Sequence, residues 1–300
     1  MTGKDFIETK GLQREDIFKL FLLTERFKNA RYTHEKPLSG KTFALIFEKP
    51  SLRTRVTFET AINELGGNSI YLSSQDIGLG KREPVKDVAE NLSRWVSGIV
   101  ARVFEHKSVE DLAKYASVPV VNALSDLEHP CQALADFFTI WETYKEYKDL
   151  KFAWVGDGNN VCHSLMLFAN LCGLKMHVAT PKGYEPAKEY VKLSSAVVTN
   201  DPVEAVRDAD IIYTDVWTSM GQEEEKALRL EKFKAFQINA ELVKHAKPSY
   251  ILMHCLPAHR GEEITAEVID SPHSVILDQA ENRMHTEKSV MAWLCGNLKK

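Results

Sequence analysis

Short apolar runs alternate along this chain with longer stretches in which apolar residues return at helical spacing. The run Thr42–Phe47 reads as a buried strand, and Pro50 ends it. Ser51 is a natural N-cap, and Phe58, Ala61, Ile62 and Leu65 form one apolar stripe before Gly66 and Gly67 close the helix. A polar loop over 73–83 follows, then a helix from Pro84 to about Val96. Strands are expected at 98–104 and 118–123, with a helix over 109–116 between them. After Pro130, the residues Leu134, Phe137, Phe138, Trp141 and Tyr144 keep helical spacing, so that helix should bury one side.

The pattern then starts again. Strands are expected at 152–155, 176–180, 196–199, 211–216, 251–255 and 275–277, separated by helices, with a last helix over 286–298. This alternation predicts an α/β protein with two doubly wound parallel-sheet domains. The polar stretch 144–149 is the natural joint, which gives domains 1–147 and 148–285 and leaves 286–300 free to pack back on the first or to stay with the second. Ligands of doubly wound folds bind outside the carboxyl ends of the strands, so the site is expected in the cleft between the domains. The polar clusters obey that rule. Arg102, the loop 126–132, Gly156–Asn160, Asp215–Met220 and His254–Pro257 all follow strands.

Composition removes several function classes. The 300 residues are 44% hydrophobic and 27% charged, an ordinary globular balance. A net charge of −4 offers no basic field for nucleic acid, so anion affinity must be local to a pocket. No apolar run reaches the length of a membrane span, and the first residues lack a signal-type apolar core. The five cysteines have neither zinc-type nor C-x-x-C spacing, which fits a reduced, cytoplasmic protein without a bound metal.

The segment Ser51-Leu52-Arg53-Thr54-Arg55 brings hydroxyls and guanidinium groups to a helix N-terminus, whose amides and dipole already favour an anion. A capped surface helix with solvated arginines is the plain alternative. His129-Pro130-Cys131-Gln132 places an imidazole and an amide at a helix entry, where they can polarise a carbonyl or serve as a cap. Asp215 at a strand end can receive an ammonium group, whereas Glu223–Glu225 read as a solvated helix start. In His254-Cys255-Leu256-Pro257 the thiol has a histidine neighbour and ends a strand, and Leu256 would act through its carbonyl. Gly156-Asp157-Gly158 resembles half of a dinucleotide fingerprint. The third glycine is absent, and the next strand ends in Ala179-Thr180 rather than in an acid, so a nicotinamide-dependent dehydrogenase is disfavoured. Asn159 and Asn160 are better placed for a polar substrate.

Together these segments resemble the aspartate/ornithine carbamoyltransferase family, essentially end to end: S-x-R-T-R at 51–55, Arg102, H-P-C-Q at 129–132, G-D-G-N-N at 156–160, D-V-W-T-S-M-G at 215–221, H-C-L-P at 254–257 and E-N-R at 281–283. The S-M-G and H-C-L-P segments resemble the ornithine branch of that family rather than the aspartate branch. The resemblance implies transfer of a carbamoyl group from carbamoyl phosphate to L-ornithine, giving L-citrulline and phosphate, with no cofactor. It implies that Ser51, Leu52, Arg53, Thr54 and Arg102 hold the phosphate, with the Leu52 contact made by its backbone. It implies that His129 and Thr54 polarise the carbonyl, and that Gln132, Cys255, Leu256 and Arg283 surround the carbamoyl end. Asn160, Asp215, Ser219 and Met220 would bind ornithine, with Asp215 and Cys255 steering the δ-amine. The catalytic set is thus Asp215, Cys255, Arg102 and His129. Many members carry Thr where this chain has Leu52, so a hydroxyl contact is lost there while the amide survives. The family also implies a homotrimer, or a multiple of trimers, in which a neighbouring subunit completes the site. Loop 73–83 matches that element in position, with Gly78 where some members have Gln. A carbamoyltransferase for another amine, such as putrescine or an acylated ornithine, is the nearest alternative. A non-catalytic anion-binding protein on the same fold is the more distant one.

Overall fold

The computed structural model describes residues 4–32, 35–219, 221 and 223–296. In chain order the elements are α1 (Arg14–Asn29), β1 (Thr42–Phe47), α2 (Leu52–Glu64), β2 (Asn68–Ser73), α3 (Ser74–Ile77), α4 (Val85–Trp95), β3 (Gly98–Arg102), α5 (His106–Tyr115), β4 (Val120–Leu124) and α6 (Pro130–Tyr144). They continue as β5 (Lys151–Val155), α7 (Asn160–Cys172), β6 (Lys175–Ala179), α8 (Lys188–Leu193), β7 (Val197–Thr199), α9 (Pro202–Val206), β8 (Ile211–Thr214), α10 (Lys226–Phe233), α11 (Ala240–Val243), β9 (Ile251–His254), α12 (Ala266–Ile269) and α13 (Ile276–Cys295). One compact unit runs as far as Phe138 and resumes at Asn282; the other is Thr139–Glu281. The chain passes from one to the other within α6 and returns within α13.

The first unit is built on a parallel sheet in the order β2-β1-β3-β4. Phe43, Leu45 and Phe47 are buried along with Ala44 and Ile46 between them, so β1 is covered on both faces and reads as a continuous apolar run. Phe6 bridges Val121 and prolongs the sheet beyond β4. The later turns of α13 belong to this unit: Thr24 Oγ1 donates to Ser289 Oγ at 2.9 Å, and Lys28 Nζ to Asn282 Oδ1 at 2.8 Å. The second unit carries a parallel sheet in the order β7-β6-β5-β8-β9, whose core includes Val155, Ile212, Leu252, Phe236 and Ile264. Both units are therefore α/β with a parallel sheet flanked by helices.

The structure adds one strand to the sequence reading and removes another. Asn68–Ser73 is an edge strand that the reading passed over, because it is polar and half exposed. Residues 275–277 are not a strand. Val275 N donates one bond to the Leu252 carbonyl at 3.0 Å, and the chain then enters α13 at Ile276. A short apolar triplet cannot tell a strand from the start of a buried helix. No helix among the described residues is long and apolar enough to cross a membrane.

Candidate active site

In the first unit the chain leaves β1 for the edge strand β2 and returns on the other side as β3. The loops after β1 and β3 diverge at such a switch point, the usual place for a ligand. Here they are also tied together. Glu48 N donates to the Arg102 carbonyl at 2.9 Å, and Phe104 N donates to Glu48 Oε2 at 2.8 Å. Ser51 is extended (φ −159°), caps α2 and accepts a bond from Thr54 N at 3.3 Å. Thr54 lies one turn in and is buried. Its hydroxyl oxygen accepts from Arg102 Nη1 at 3.4 Å and from Arg283 Nη2 at 3.1 Å, so two guanidinium groups converge on one neutral atom.

Arg283 also donates to Gln132 Oε1 at 2.7 Å and to Glu287 Oε1 through Nε at 3.2 Å and Nη2 at 3.0 Å. Gln132 is fixed from its other end by donating to Asp136 Oδ1 at 2.8 Å. His129 is buried just before α6, and desolvation together with the charges of Arg283 and Arg102 holds its imidazole well below the usual histidine range. It is neutral, able to offer an N–H without adding charge. Burial pushes the Glu287 carboxyl up to about 7, against the opposing pull of Arg283. Near neutrality Glu287 therefore offsets Arg283 only in part. Lys49 lies close enough for Arg102 to lower its pKa, after a larger effect of burial, and its Nζ sits 4.7 Å from the Phe104 ring centre.

The second unit repeats the topological device with opposite chemistry. Its switch point lies between β5 and β8, and the segments that follow them are Gly156–Asn160 and Asp215–Ser219. Asp215 is buried with both carboxylate oxygens in use. Oδ2 accepts from Asn159 Nδ2 at 2.9 Å, while Oδ1 accepts from Cys255 Sγ at 3.0 Å and from Val216 N at 2.8 Å. Asn159 is itself pinned, because its Oδ1 caps α7 by accepting from Val161 N and Cys162 N. Gly156 has φ +149°, and a Cβ on Gly158 would stand 2.3 Å from Pro186 N. Those glycines serve a sharp turn packed against a neighbouring loop, which explains the partial fingerprint without a dinucleotide. After β9, the Leu256 amide donates to His254 Nδ1 at 2.8 Å, while His254 Nε2 lies 3.2 Å from Glu263 Oε1. The first bond leaves the His254 proton on Nε2, directed at the carboxylate. It also helps hold Leu256 at φ +60°, a left-handed conformation that costs a non-glycine residue roughly 1–2 kcal/mol.

Residues 4–142 match the family model described as "Aspartate/ornithine carbamoyltransferase, carbamoyl-P binding domain", and residues 148–294 match its "Asp/Orn binding domain". The chain belongs to the aspartate/ornithine carbamoyltransferase family. It is 53% identical over 310 aligned positions to the ornithine carbamoyltransferase of Thermococcus kodakarensis, covering 100% of this chain and 98% of that one. It is 54% identical over 291 positions to that of Thermus thermophilus, covering 97% and 96%. The solved structure of the Pyrococcus furiosus ornithine carbamoyltransferase superposes with a TM-score of 0.95 at 52% identity, covering 98% of each chain. As a member of this carbamoyltransferase family the protein is a transferase.

Set on this family framework, the predicted residues fall into two groups. The structure brings Ser51, Thr54, Arg102, Gln132 and Arg283 into one bonded cluster with His129 beside it. It brings Asp215 and Cys255 together in the other, with Leu256 next along the chain. Leu52 is exposed, and Arg53 begins the same helical turn. Arg55 turns elsewhere, donating to Glu59 Oε1 at 2.9 Å and lying 3.8 Å over the Tyr71 ring. Asn160 opens α7, but Asn159 is the residue that touches Asp215. Ser219 is half-buried in the segment after β8, and Met220 lies outside the described residues. Sequence reasoning missed Glu287, Lys49 and Arg229. Glu287 could have been found, since it lies i+4 from Arg283 on one helix.

Proposed function

We propose that this protein is an ornithine carbamoyltransferase, converting carbamoyl phosphate and L-ornithine to L-citrulline and phosphate. The observation that carries the reading is the convergence of Arg102 and Arg283 on the buried Thr54 hydroxyl, with neutral His129 beside them. That is a preformed site for a dianionic group joined to a carbonyl. In this reading Ser51, the Leu52 and Arg53 amides of the first turn, the Arg53 side chain, Thr54 and Arg102 hold the phosphate. His129 and Thr54 polarise the carbonyl oxygen, and Gln132, Arg283, the Leu256 carbonyl and Cys255 attend the carbamoyl end. Asn160, Asp215, Ser219 and Met220 receive ornithine, with residues 1–147 serving carbamoyl phosphate and 148–285 the amino acid.

An alkylammonium with a pKa of about 10 is no nucleophile, so the reacting δ-amine must be neutral. Its nitrogen attacks the carbonyl carbon, and the oxyanion is stabilised by the His129 N–H and the arginines. The C–O bond to phosphate then breaks, and phosphate leaves with its charge spread over Arg53, Arg102 and the α2 terminus while its oxygen takes up the proton that the nitrogen gives up. Fixing both substrates could supply roughly 7–11 kcal/mol of the barrier reduction. The finer reading includes a cytoplasmic homotrimer, or a multiple of trimers, acting in arginine biosynthesis. None of the five cysteines is in a disulfide, which supports a reducing compartment, and a Pyrococcus furiosus relative, 51% identical, is named an anabolic ornithine carbamoyltransferase. We assign the loop 73–83 to a neighbouring subunit's site. It is a short helix with a Ser73–Asp76 capping box, closed by Gly78 at φ +51°.

The test is a product assay with carbamoyl phosphate fixed and ornithine, putrescine, N-acetylornithine and aspartate supplied in parallel. Citrulline and phosphate formed in equal amounts, with ornithine far ahead, support the reading. Faster turnover of another amine would retain the donor assignment and overturn the acceptor.

A further inference from the structure

Arg229 belongs to none of the motifs above, yet it is buried and spans three parts of the second unit. It projects from α10, and its Nη1 donates to Asp157 Oδ2 and to the Trp217 carbonyl, both at 2.9 Å. Its Nε donates to Glu225 Oε2 at 3.2 Å. The guanidinium carbon lies 4.9 Å over the Tyr184 ring centre, so its plane is supported as well as its edge. Asp157 is a firm post: its carbonyl accepts from the buried Trp154 indole at 3.0 Å, and the adjoining Gly158 is packed against the 185–186 backbone.

Those bonds join the turn after β5 to both flanks of the segment after β8. Trp217 is buried against Phe233, with ring centres 5.8 Å apart. The buried Trp217 Nε1 and Thr218 Oγ1 have no hydrogen-bond partner, so neither side chain anchors the segment through a polar bond. Arg229 supplies a polar anchor at the Trp217 carbonyl and another at Glu225. A lysine could keep the charge but has one nitrogen, and so cannot bond Asp157 and Trp217 through one donor and Glu225 through a second from one fixed plane.

We propose that Arg229 is a positioning residue for the acceptor: gripped by Asp157, it fixes the Trp217 carbonyl and the Glu225 carboxylate, so that Ser219, two residues after Trp217, is held ready for the α-ammonium and α-carboxylate of the amino acid. This rests on the ornithine reading above. Arg229 touches no reacting atom and acts through the segment it holds. The family's Asp/Orn division makes this segment the natural place for acceptor choice, and Arg229 supplies its rigidity at one remove.

The experiment compares wild type with Arg229→Met, Arg229→Lys and Asp157→Asn. Kinetics are measured with each substrate varied in turn, alongside digestion by a glutamate-specific protease and thermal unfolding. Arg229→Met should raise the KM for ornithine about tenfold or more, the scale of one lost charge-assisted hydrogen bond. The KM for carbamoyl phosphate should stay within about twofold, and cleavage at Glu224 and Glu225 should quicken by a similar factor. Arg229→Lys should fall between Arg229→Met and wild type, and it carries the test if the methionine variant does not fold. Unchanged cleavage and ornithine KM, or equal losses for both substrates tracking thermal stability, would overturn the proposal. If wild type prefers another amine while cleavage still quickens in the variants, the positioning role stands and the ornithine reading fails.

Discussion

The two units use one topological device for opposite electrostatic ends. Each places its polar residues where a parallel sheet reverses its winding, between β1 and β3 in one and between β5 and β8 in the other. In the first, two guanidinium groups converge on a buried hydroxyl, and Glu287 beside Arg283 is only partly ionised near neutrality. In the second, a carboxylate has each oxygen already bonded, by Asn159 on one side and by Cys255 and Val216 N on the other. The second is organised before any ligand arrives, at the cost of strain at Leu256 and a buried Asp157–Arg229 pair. Donor binding should therefore depend steeply on charge, and acceptor binding on geometry.

The largest effect that would break this contrast is at Arg102. Arg102→Met should lower kcat/KM about 10³-fold, because it removes a buried donor from the developing phosphate charge. Loss of under about tenfold in steady-state assays would mean the guanidinium does not face the leaving group. Next comes the pH dependence of stability. Burial holds Glu287 at about 7 in the fold against an ordinary value of 4.5. A raised carboxyl favours the folded state below its unfolded pKa, and that contribution is lost as pH rises through the folded value. From about pH 4.5 to above 7 the loss is about 3 kcal/mol. Denaturant unfolding should show this decline, and Glu287→Gln should flatten it; equal slopes in both proteins would refute the assignment.

Cys255→Ala should cost roughly tenfold in ornithine turnover, the scale of one hydrogen bond to a charged group, and should change the pH profile. Donor binding should change less than ornithine use, and unchanged kinetics would remove the thiol from the mechanism. The smallest expected effect is none at all. The His129 imidazole, pushed down by burial and by Arg283 and Arg102, should show no protonation in nitrogen-detected NMR as pH falls through 6.5. Titration near that value would mean the arginines do not act on it.

Much of this was legible in the sequence, for identifiable reasons. β1 is apolar along its whole length because both faces are covered, and Ser51 caps α2 as its residue type dictates. Asp215 and Cys255 could be picked out because each follows a strand. Pairwise geometry was less accessible. Nothing in Gly156–Asn160 says that Asn159 rather than Asn160 turns back to Asp215, since the choice depends on which residue caps α7. Arg229 stands in an ordinary charged helix, and its burial is set by Tyr184 and Phe233, remote or unmarked in sequence. The edge strand β2 carries too little apolar signal to be read.

The central claim is that the first unit holds the donor's phosphate through charge and the second holds the acceptor through fixed geometry. The direct test is calorimetric binding of carbamoyl phosphate to Arg53→Ala and Asp215→Ala, with ornithine turnover measured on both. The account predicts that Arg53→Ala loses donor binding, while Asp215→Ala binds the donor as wild type does yet turns over ornithine at least about 10²-fold more slowly. Intact donor binding by Arg53→Ala, or its loss in Asp215→Ala, would contradict it.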